Sequence, residues 1–206
     1  MDRHDAELLL AASGGGLTLD EINPVTLKTP AAPLAAALRR EGEYRYRGLA
    51  QCFALRQSRV DQVLVEGVGG CLVPIRPDYF VADLAVDMKL SVLVVAQNRL
   101  GCLNHTALTV KSVVDHGLNC VGVVLNEPLL QNNMATQTNA DVLRRIIGPT
   151  GSSWTNGKNR RFPKRLEAVS RDTVERQNRH NCKLILHKSL TRPHYYPGKV
   201  PWHHRC

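Results

Sequence analysis

The sequence lacks the features of a membrane-spanning, secreted or zinc-ribbon protein. No stretch approaches the roughly 20 consecutive apolar residues that a membrane-spanning helix needs. The first ten residues do not follow the order of a secretory signal, in which a charged region precedes an apolar run and a small-residue cleavage site. The six cysteines include no CxxC pair, so a zinc ribbon has little support. We therefore predict a cytoplasmic protein.

The cysteines are also too scattered, in a chain without an export signal, to predict a disulfide framework. Cys71, Cys102 and Cys120 lie in apolar surroundings. We predict that these three are small buried residues.

The positive charge is confined to the end of the chain. Residues 1–150 contain 14 Lys and Arg against 15 Asp and Glu, whereas residues 151–206 contain 13 against 3. We predict a neutral α/β domain over 1–150, followed by an irregular, poorly ordered basic tail over 151–206. An alternative is that the tail binds anions or nucleic acid. No binding-fold signature accompanies the charge, so a nucleic-acid partner is not favoured.

Three apolar runs predict the strands of a sheet. They cover residues 62–65, 91–96 and 120–125, and each is apolar on both faces, which is typical of a buried parallel sheet. Helices are predicted between them over 80–89 and 104–116, and elsewhere over 5–12, 33–40 and 140–147. This alternation predicts right-handed βαβ units and an α/β fold with helices flanking a parallel sheet.

Polar residues follow each of these strands. They are Glu66 with its glycines, the 97–105 loop, and Asn126. Ligands of parallel sheets bind at the carboxyl ends of the strands, so we expect these residues to meet in one pocket. A carboxylate beside glycines can hold Mg²⁺ while the backbone approaches an anion. The alternatives are that Glu66 and Asn126 only begin turns and that Asn104 only caps a helix.

Several segments together resemble the dethiobiotin synthase family, in the family's order. The resemblance covers roughly residues 3–127, and the combination of VEGxGG with LGxxNHTxLT is specific. Cobyrinic acid diamide-forming amidoligases share the glycine loop but fit the NHTxLT segment less well. The matching segments are HDAELLL (4–10), INP (22–24), TPAAPLAA (29–36), VEGVGGCLVPI (65–75), DLA (83–85), SVLVVAQNRLGCLNHTALTV (91–110) and GLNCVGVVLN (117–126).

The resemblance implies a P-loop NTPase-like fold and a ligase of biotin biosynthesis. Such an enzyme uses ATP and Mg²⁺ to convert 7,8-diaminopelargonate and CO₂ to dethiobiotin, in a homodimer with its sites at the subunit interface. For Asp5, a residue near the start of the chain, the alternative is that it only favours the first turn of a helix. By matched position the resemblance implies Asp5 and Glu66 as metal carboxylates, Gly67, Val68, Gly69, Asn126 and Glu127 as further nucleotide-binding residues, and Gly70, Gly101 and Asn104 as substrate-binding residues.

The sequence departs from the family in two respects that bear on activity. The family's GxxxxGK[ST] motif, whose amides and lysine hold the phosphates, does not occur. The lysine that follows the family's second strand, at the carbamate site, is missing as well. Gly14-Gly15-Gly16 is followed by Leu-Thr-Leu-Asp and predicts a loop. We therefore predict an N-terminally truncated domain with an incomplete sheet and impaired activity. The alternative is a non-catalytic, dimerising remnant of the fold.

Overall fold

The computed structural model describes most of the chain up to residue 147 and two segments beyond it. The described residues are 4–13, 16–27, 29, 31–39, 49–57, 62–67, 69–126, 133–147, 154–156 and 182–189. Gly14, Gly15 and the predicted domain boundary at 150 lie outside them. None of the described helices is long and apolar enough to cross a membrane.

Seven helices and seven strands are described. The helices are α1 (His4–Ala12), α2 (Leu19–Ile22), α3 (Pro33–Leu38), α4 (Leu49–Gln57), α5 (Val81–Asp87), α6 (Cys102–Asp115) and α7 (Met134–Ile147). The strands are β1 (Gln62–Glu66), β2 (Pro74–Arg76), β3 (Tyr79–Phe80), β4 (Ser91–Gln97), β5 (Cys120–Asn126), β6 (Trp154–Asn156) and β7 (Cys182–Ser189).

The three predicted strands are confirmed as β1, β4 and β5, and they belong to one five-stranded sheet. Its order is β1-β7-β4-β5-β6. Strands β4, β5 and β6 run parallel, while β7 is antiparallel to both β1 and β4. Strands β1 and β4 therefore run in the same direction with β7 between them. The predicted α/β class with a parallel sheet and flanking helices is confirmed, apart from this one reversed strand.

The strand β7 comes from the basic C-terminal region, where composition did not indicate regular structure. It pairs with all five residues of β1, from Gln62 opposite Ser189 to Glu66 opposite Ile185. It also pairs with β4, from Ser91 to Ala96. The position between β1 and β4 is thus occupied by a strand from the C-terminal region. Among the described strands, β7 is the neighbour through which β1 joins the sheet.

The core lies between the sheet and helices α5 and α6. Val92 and Val94 of β4 are fully buried against α5 and α6, with Ala85 and Val113 as their fully buried partners. The other face of β4 is buried as well, since Leu93 has no exposed surface. Burial on both faces is why the run at 91–96 shows no alternation of apolar and polar residues.

Helix α7 is longer than the sequence indicated. It begins at Met134 rather than near residue 140, because Asn133 caps it. The Asn133 carbonyl of the side chain accepts from the Thr136 N–H at 3.0 Å, and the Thr136 hydroxyl accepts from the Asn133 N–H at 3.2 Å. Reciprocal bonds of this kind satisfy two backbone donors at a helix start. The first two turns of α7 contain mostly polar residues, so the sequence shows no amphipathic pattern there.

The turn after β1 requires glycine at residue 69. Gly69 has φ +68°, and a Cβ atom built there would lie 2.8 Å from Cγ2 of Val73. Gly70 has neither constraint, since nothing lies within 4 Å of a Cβ at that position. The turn leads into the β2–β3 hairpin and α5, whose Ala82 N–H donates to the Cys71 carbonyl at 3.0 Å. The glycine turn and α5 are thus one connected unit.

Four cysteines of the described part of the chain are free, at positions 52, 71, 102 and 120. Cys71, Cys102 and Cys120 are buried, as predicted, whereas Cys52 is half-buried. Burial is the main cause that raises the pKa of each of the three buried thiols. These thiols therefore stay protonated at neutral pH and are poor nucleophiles.

The position of β7 predicts that β1 depends on it. A chain that lacks residues 182–206 should lose the ladder bonds of β1, and the Val63–Val65 amides should exchange with deuterium at least about tenfold faster. A chain that lacks only residues 190–206 is the control, with β1 protection retained. Equal protection of β1 in both chains would contradict the observed pairing.

The geometry at residue 69 predicts an asymmetry between two neighbouring glycines. Gly69→Ala should lower the free energy of unfolding by about 1–3 kcal/mol, because alanine is strained at positive φ and meets a stiff, half-buried valine. Gly70→Ala should change it by less than about 0.5 kcal/mol. Chemical denaturation measures both, and equal effects would refute the assigned conformation of the turn.

Candidate functional site

Three polar side chains lie on the same face of the sheet. Glu66 is opposite Ile185, which is opposite Leu93, so Glu66 and Leu93 share a face. Gln97 is four residues further along β4 and, by the alternation of a strand, projects on that face too. Asn126 is the register partner of Gln97 and joins it there. This face is the one opposite α5 and α6.

The register brings Asn126 beside Gln97 but leaves Glu66 apart. Glu66 is level with Leu93, four residues before the end of β4, and three strand spacings separate it from β5. Normal sheet dimensions put the Cα atoms of Glu66 and Asn126 about 20 Å apart. The polar residues therefore do not form the single cluster that the sequence led us to expect. The cause is the pairing with β7, which places the last residue of β1 level with the middle of β4 rather than with its end.

The glycines that follow Glu66 form a tight, partly enclosed turn. Gly67 is buried, while Gly69 and Gly70 are half-buried. Val68 lies outside the described residues. Glu66 itself is half-buried at the end of β1.

The loop after β4 leads into α6 with a left-handed glycine. Gly101 is the N-cap of α6, with φ +90° and open space around the position of a Cβ. Asn104 is the third residue of the helix and is exposed. The alternative that Asn104 caps this helix is wrong, because the helix begins two residues before it. The exposed side chain of Asn104 is available to a ligand or a partner.

A buried hydrogen-bonded cluster, which the sequence analysis missed, joins this loop to α7. The Asn98 side-chain amide donates to the Thr136 carbonyl at 2.9 Å, and its oxygen accepts from the Asn139 amide at 2.8 Å. The Asn139 amide also donates to the Arg99 carbonyl at 3.2 Å. The available signal was an asparagine directly after a fully buried strand, a position where water cannot satisfy its amide.

The remaining predicted residues lie in less informative places. Asp5 is exposed in the first turn of α1, a position compatible with metal binding and with its alternative role at the helix start. Glu127 lies outside the described residues. Within the described ranges, no group of three or more His, Cys, Asp or Glu residues could hold a metal ion.

The chemistry of the site is that of binding rather than of covalent attack. Cys102 stands at the start of α6, where burial raises the pKa of its thiol more than the backbone bond and charge of Arg99 lower it. A buried protonated thiol is a poor nucleophile. The polar groups near the strand ends are the half-buried Gln97, Asn126 and Glu66 and the exposed Asn104. Such groups hold a polar ligand and a cation in place.

Comparisons with known proteins agree with this architecture. A family model described as an AAA domain matches residues 3–151, which confirms the P-loop NTPase-like fold class. An ATP-dependent dethiobiotin synthetase BioD of Akkermansia muciniphila is 38% identical over 142 residues, covering 69% of this chain and 67% of that protein. The protein of the same name from Aromatoleum aromaticum is 39% identical over 145 residues, covering 69% and 63%.

A third relative extends the match further along the chain. The ATP-dependent dethiobiotin synthetase BioD of an Anaeromyxobacter species is 35% identical over 173 residues, which cover 84% of this chain and 72% of that protein. The matches to these three relatives thus span between 63% and 72% of their lengths. The extent of the family model and the identities agree on one assignment. The chain belongs to the dethiobiotin synthetase family.

Proposed function

We propose that this chain takes part in the ATP-dependent closure of the ureido ring of dethiobiotin. The substrates are 7,8-diaminopelargonate and CO₂. One amine and CO₂ form a carbamate, ATP supplies the phosphoryl group that activates its carboxylate, and the second amine attacks that carbon and expels phosphate. The observation that carries the proposal is that Glu66, Gln97 and Asn126, half-buried at the ends of their strands, lie on one shared face of the sheet.

The distance between these ends supports an elongated ligand. A separation of about 20 Å is too large for two side chains that hold one ion. It suits a nucleotide whose base contacts Asn126, with Glu127 next in the chain, and whose phosphates point toward Glu66 and Gly67–Gly70. The base end then lies at the carboxyl edge of β5, where parallel sheets bind ligands.

The carboxylates fit Mg²⁺ in number and type. This ion is usually held by one or two carboxylates, with water and phosphate oxygens as its other ligands. Asp5 and Glu66 would supply these two, so the proposal needs no cluster of three acidic residues. When bound, the ion neutralises charge on the transferred phosphoryl group. The residues of the chain would then mainly position the reactants.

The start of α6 supports a homodimeric site. Leu100 is 83% exposed and Leu108 is 58% exposed, on either side of Asn104 in the sequence. Exposed leucines on either side of Asn104 are compatible with a surface that contacts another protein. In the proposed homodimer, Gly101 and Asn104 contact diaminopelargonate that is held mainly by the partner subunit.

The absence of GxxxxGK[ST] from the sequence defines the decisive experiment. The purified chain is incubated with ATP, Mg²⁺, bicarbonate and diaminopelargonate, and dethiobiotin is detected by mass spectrometry. We expect weak turnover, increased when a polypeptide segment that carries the motif is fused to the chain. A chain that makes no product with or without the added segment, and binds ATP–Mg²⁺ more weakly than about 1 mM, is not this enzyme.

The role of Glu66 gives a second test. Glu66→Gln should weaken the binding of ATP–Mg²⁺ by about tenfold or more and leave the binding of metal-free ATP nearly unchanged, because only the metal-bound form uses the carboxylate. Asp115→Asn is the matched control, since Asp115 is an exposed carboxylate paired with Lys111 on α6. Isothermal titration calorimetry measures all four affinities. Equal losses with and without Mg²⁺ would remove Glu66 from the metal site.

A further inference from the structure

The cluster around Asn98 is buried and geometrically specified. Asn98, Thr136 and Asn139 are 4%, 5% and 3% exposed. Each amide group of the two asparagines has a bonded partner, at 2.8–3.2 Å. A buried polar group that loses its partner is destabilising, so these side chains are constrained to one arrangement. The arrangement fixes α7 against the loop after β4.

Asn98 also contacts the end of β5 through its backbone. Its N–H donates to the carbonyl of Asn126 at 2.8 Å. Asn98 follows Ala96 by two residues, which places its side chain on the α6 and α7 face. Asn126 projects from the opposite face. Asn98 therefore acts on Asn126 from behind and does not share its ligand surface.

These bonds hold both ends of one connection in the chain. Residues 127–132 join Asn126 to Asn133, the cap of α7. Asn98 bonds the residue before this connection by its backbone and bonds α7 just after it by its side chain. Loss of the Asn98 side-chain amide would release the α7 end of the connection, whereas the backbone bond from Asn98 to Asn126 would remain.

We propose that Asn98 is a positioning residue that fixes Asn126, and with it the specificity of the site for the nucleotide base. The inference rests on the proposed function, in which Asn126 contacts adenine. Purine bases differ in the donors and acceptors on their edges, and a site discriminates between them only when its own groups are held in place. The cluster supplies that rigidity from the helix face of the sheet.

The test compares two nucleotides rather than one affinity. Asn98→Ala should weaken ATP binding by about tenfold and lower the ratio of ATP to GTP affinity, because a displaced Asn126 no longer favours adenine. A merely structural role would reduce stability without changing the ratio at a temperature well below unfolding. Asn119→Ala is the matched control, since Asn119 is an exposed asparagine at the opposite end of β5 that bonds Ser91.

A double-mutant cycle links the effect to the cluster. Asn139→Ala removes the partner of the Asn98 oxygen, so the two substitutions should act on ATP selectivity through one bond and be clearly non-additive. Additive effects of the two changes, or an unchanged ATP-to-GTP ratio in Asn98→Ala when the unsubstituted chain binds ATP, would overturn the inference.

A measurement without nucleotide separates this inference from the proposed function. Hydrogen exchange of residues 124–126 and 134–139 should be faster in Asn98→Ala, with α5 unchanged. If the unsubstituted chain binds no ATP, the proposed function and the specificity role of Asn98 both fail, even where exchange is faster. If it binds ATP and exchange is unaltered by the substitution, only the positioning role fails.

Discussion

The pairing of β7 with β1 and β4 is the constraint on which the arrangement of the site depends. Two strands that run in the same direction are held apart by a third that runs against them. Pairing across a sheet fixes both the spacing and the register of its strands, because each row of hydrogen bonds fixes the next. The position of Glu66 relative to Asn126 along the strand direction is therefore set by a segment that lies more than 110 residues after β1. The local conformation of the glycine turn does not determine this relative position.

The two faces of the sheet have different roles. On one face, α5, α6 and α7 bury the valines of β4 and the asparagine cluster, and this face supplies rigidity. On the other face, Leu93 is buried, and Glu66, Gln97 and Asn126 are half-buried at the ends of their strands, where the proposed function places the ligand. The backbone bond from Asn98 to Asn126 connects the two. In the proposed function, a change on the helix face can thus alter binding without contact with the ligand.

Local sequence was sufficient where a single element decided the structure. The runs at 91–96 and 120–125 are apolar at every position, and only a strand buried on both faces satisfies that pattern. The glycine at 69 was identifiable from its motif, although its need for positive φ was not. Sequence reasoning failed where a pairing partner is distant and where polar residues obscure the start of a helix. Nothing in CKLILHKS specifies that it pairs between residues 62–66 and 91–96, and the α7 start depends on a capping bond among polar residues. The expected single pocket failed for the first of these reasons, since the register of β1 was not visible in its own residues.

The direction of β7 restricts where a phosphate-binding loop can lie in a chain without the GxxxxGK[ST] motif. In a sheet of this kind, the groups that hold a triphosphate must lie near the loop after a central strand, and here the strand between β1 and β4 runs in the opposite direction. Its start at Cys182, rather than its end, is therefore level with Ala96 near the carboxyl edge. A strand of that direction cannot present a following loop at that edge. In the proposed function, phosphate contacts would then come from the turn after Glu66, from α6, or from a segment that displaces β7. Only the last of these would also free β1 to change its register.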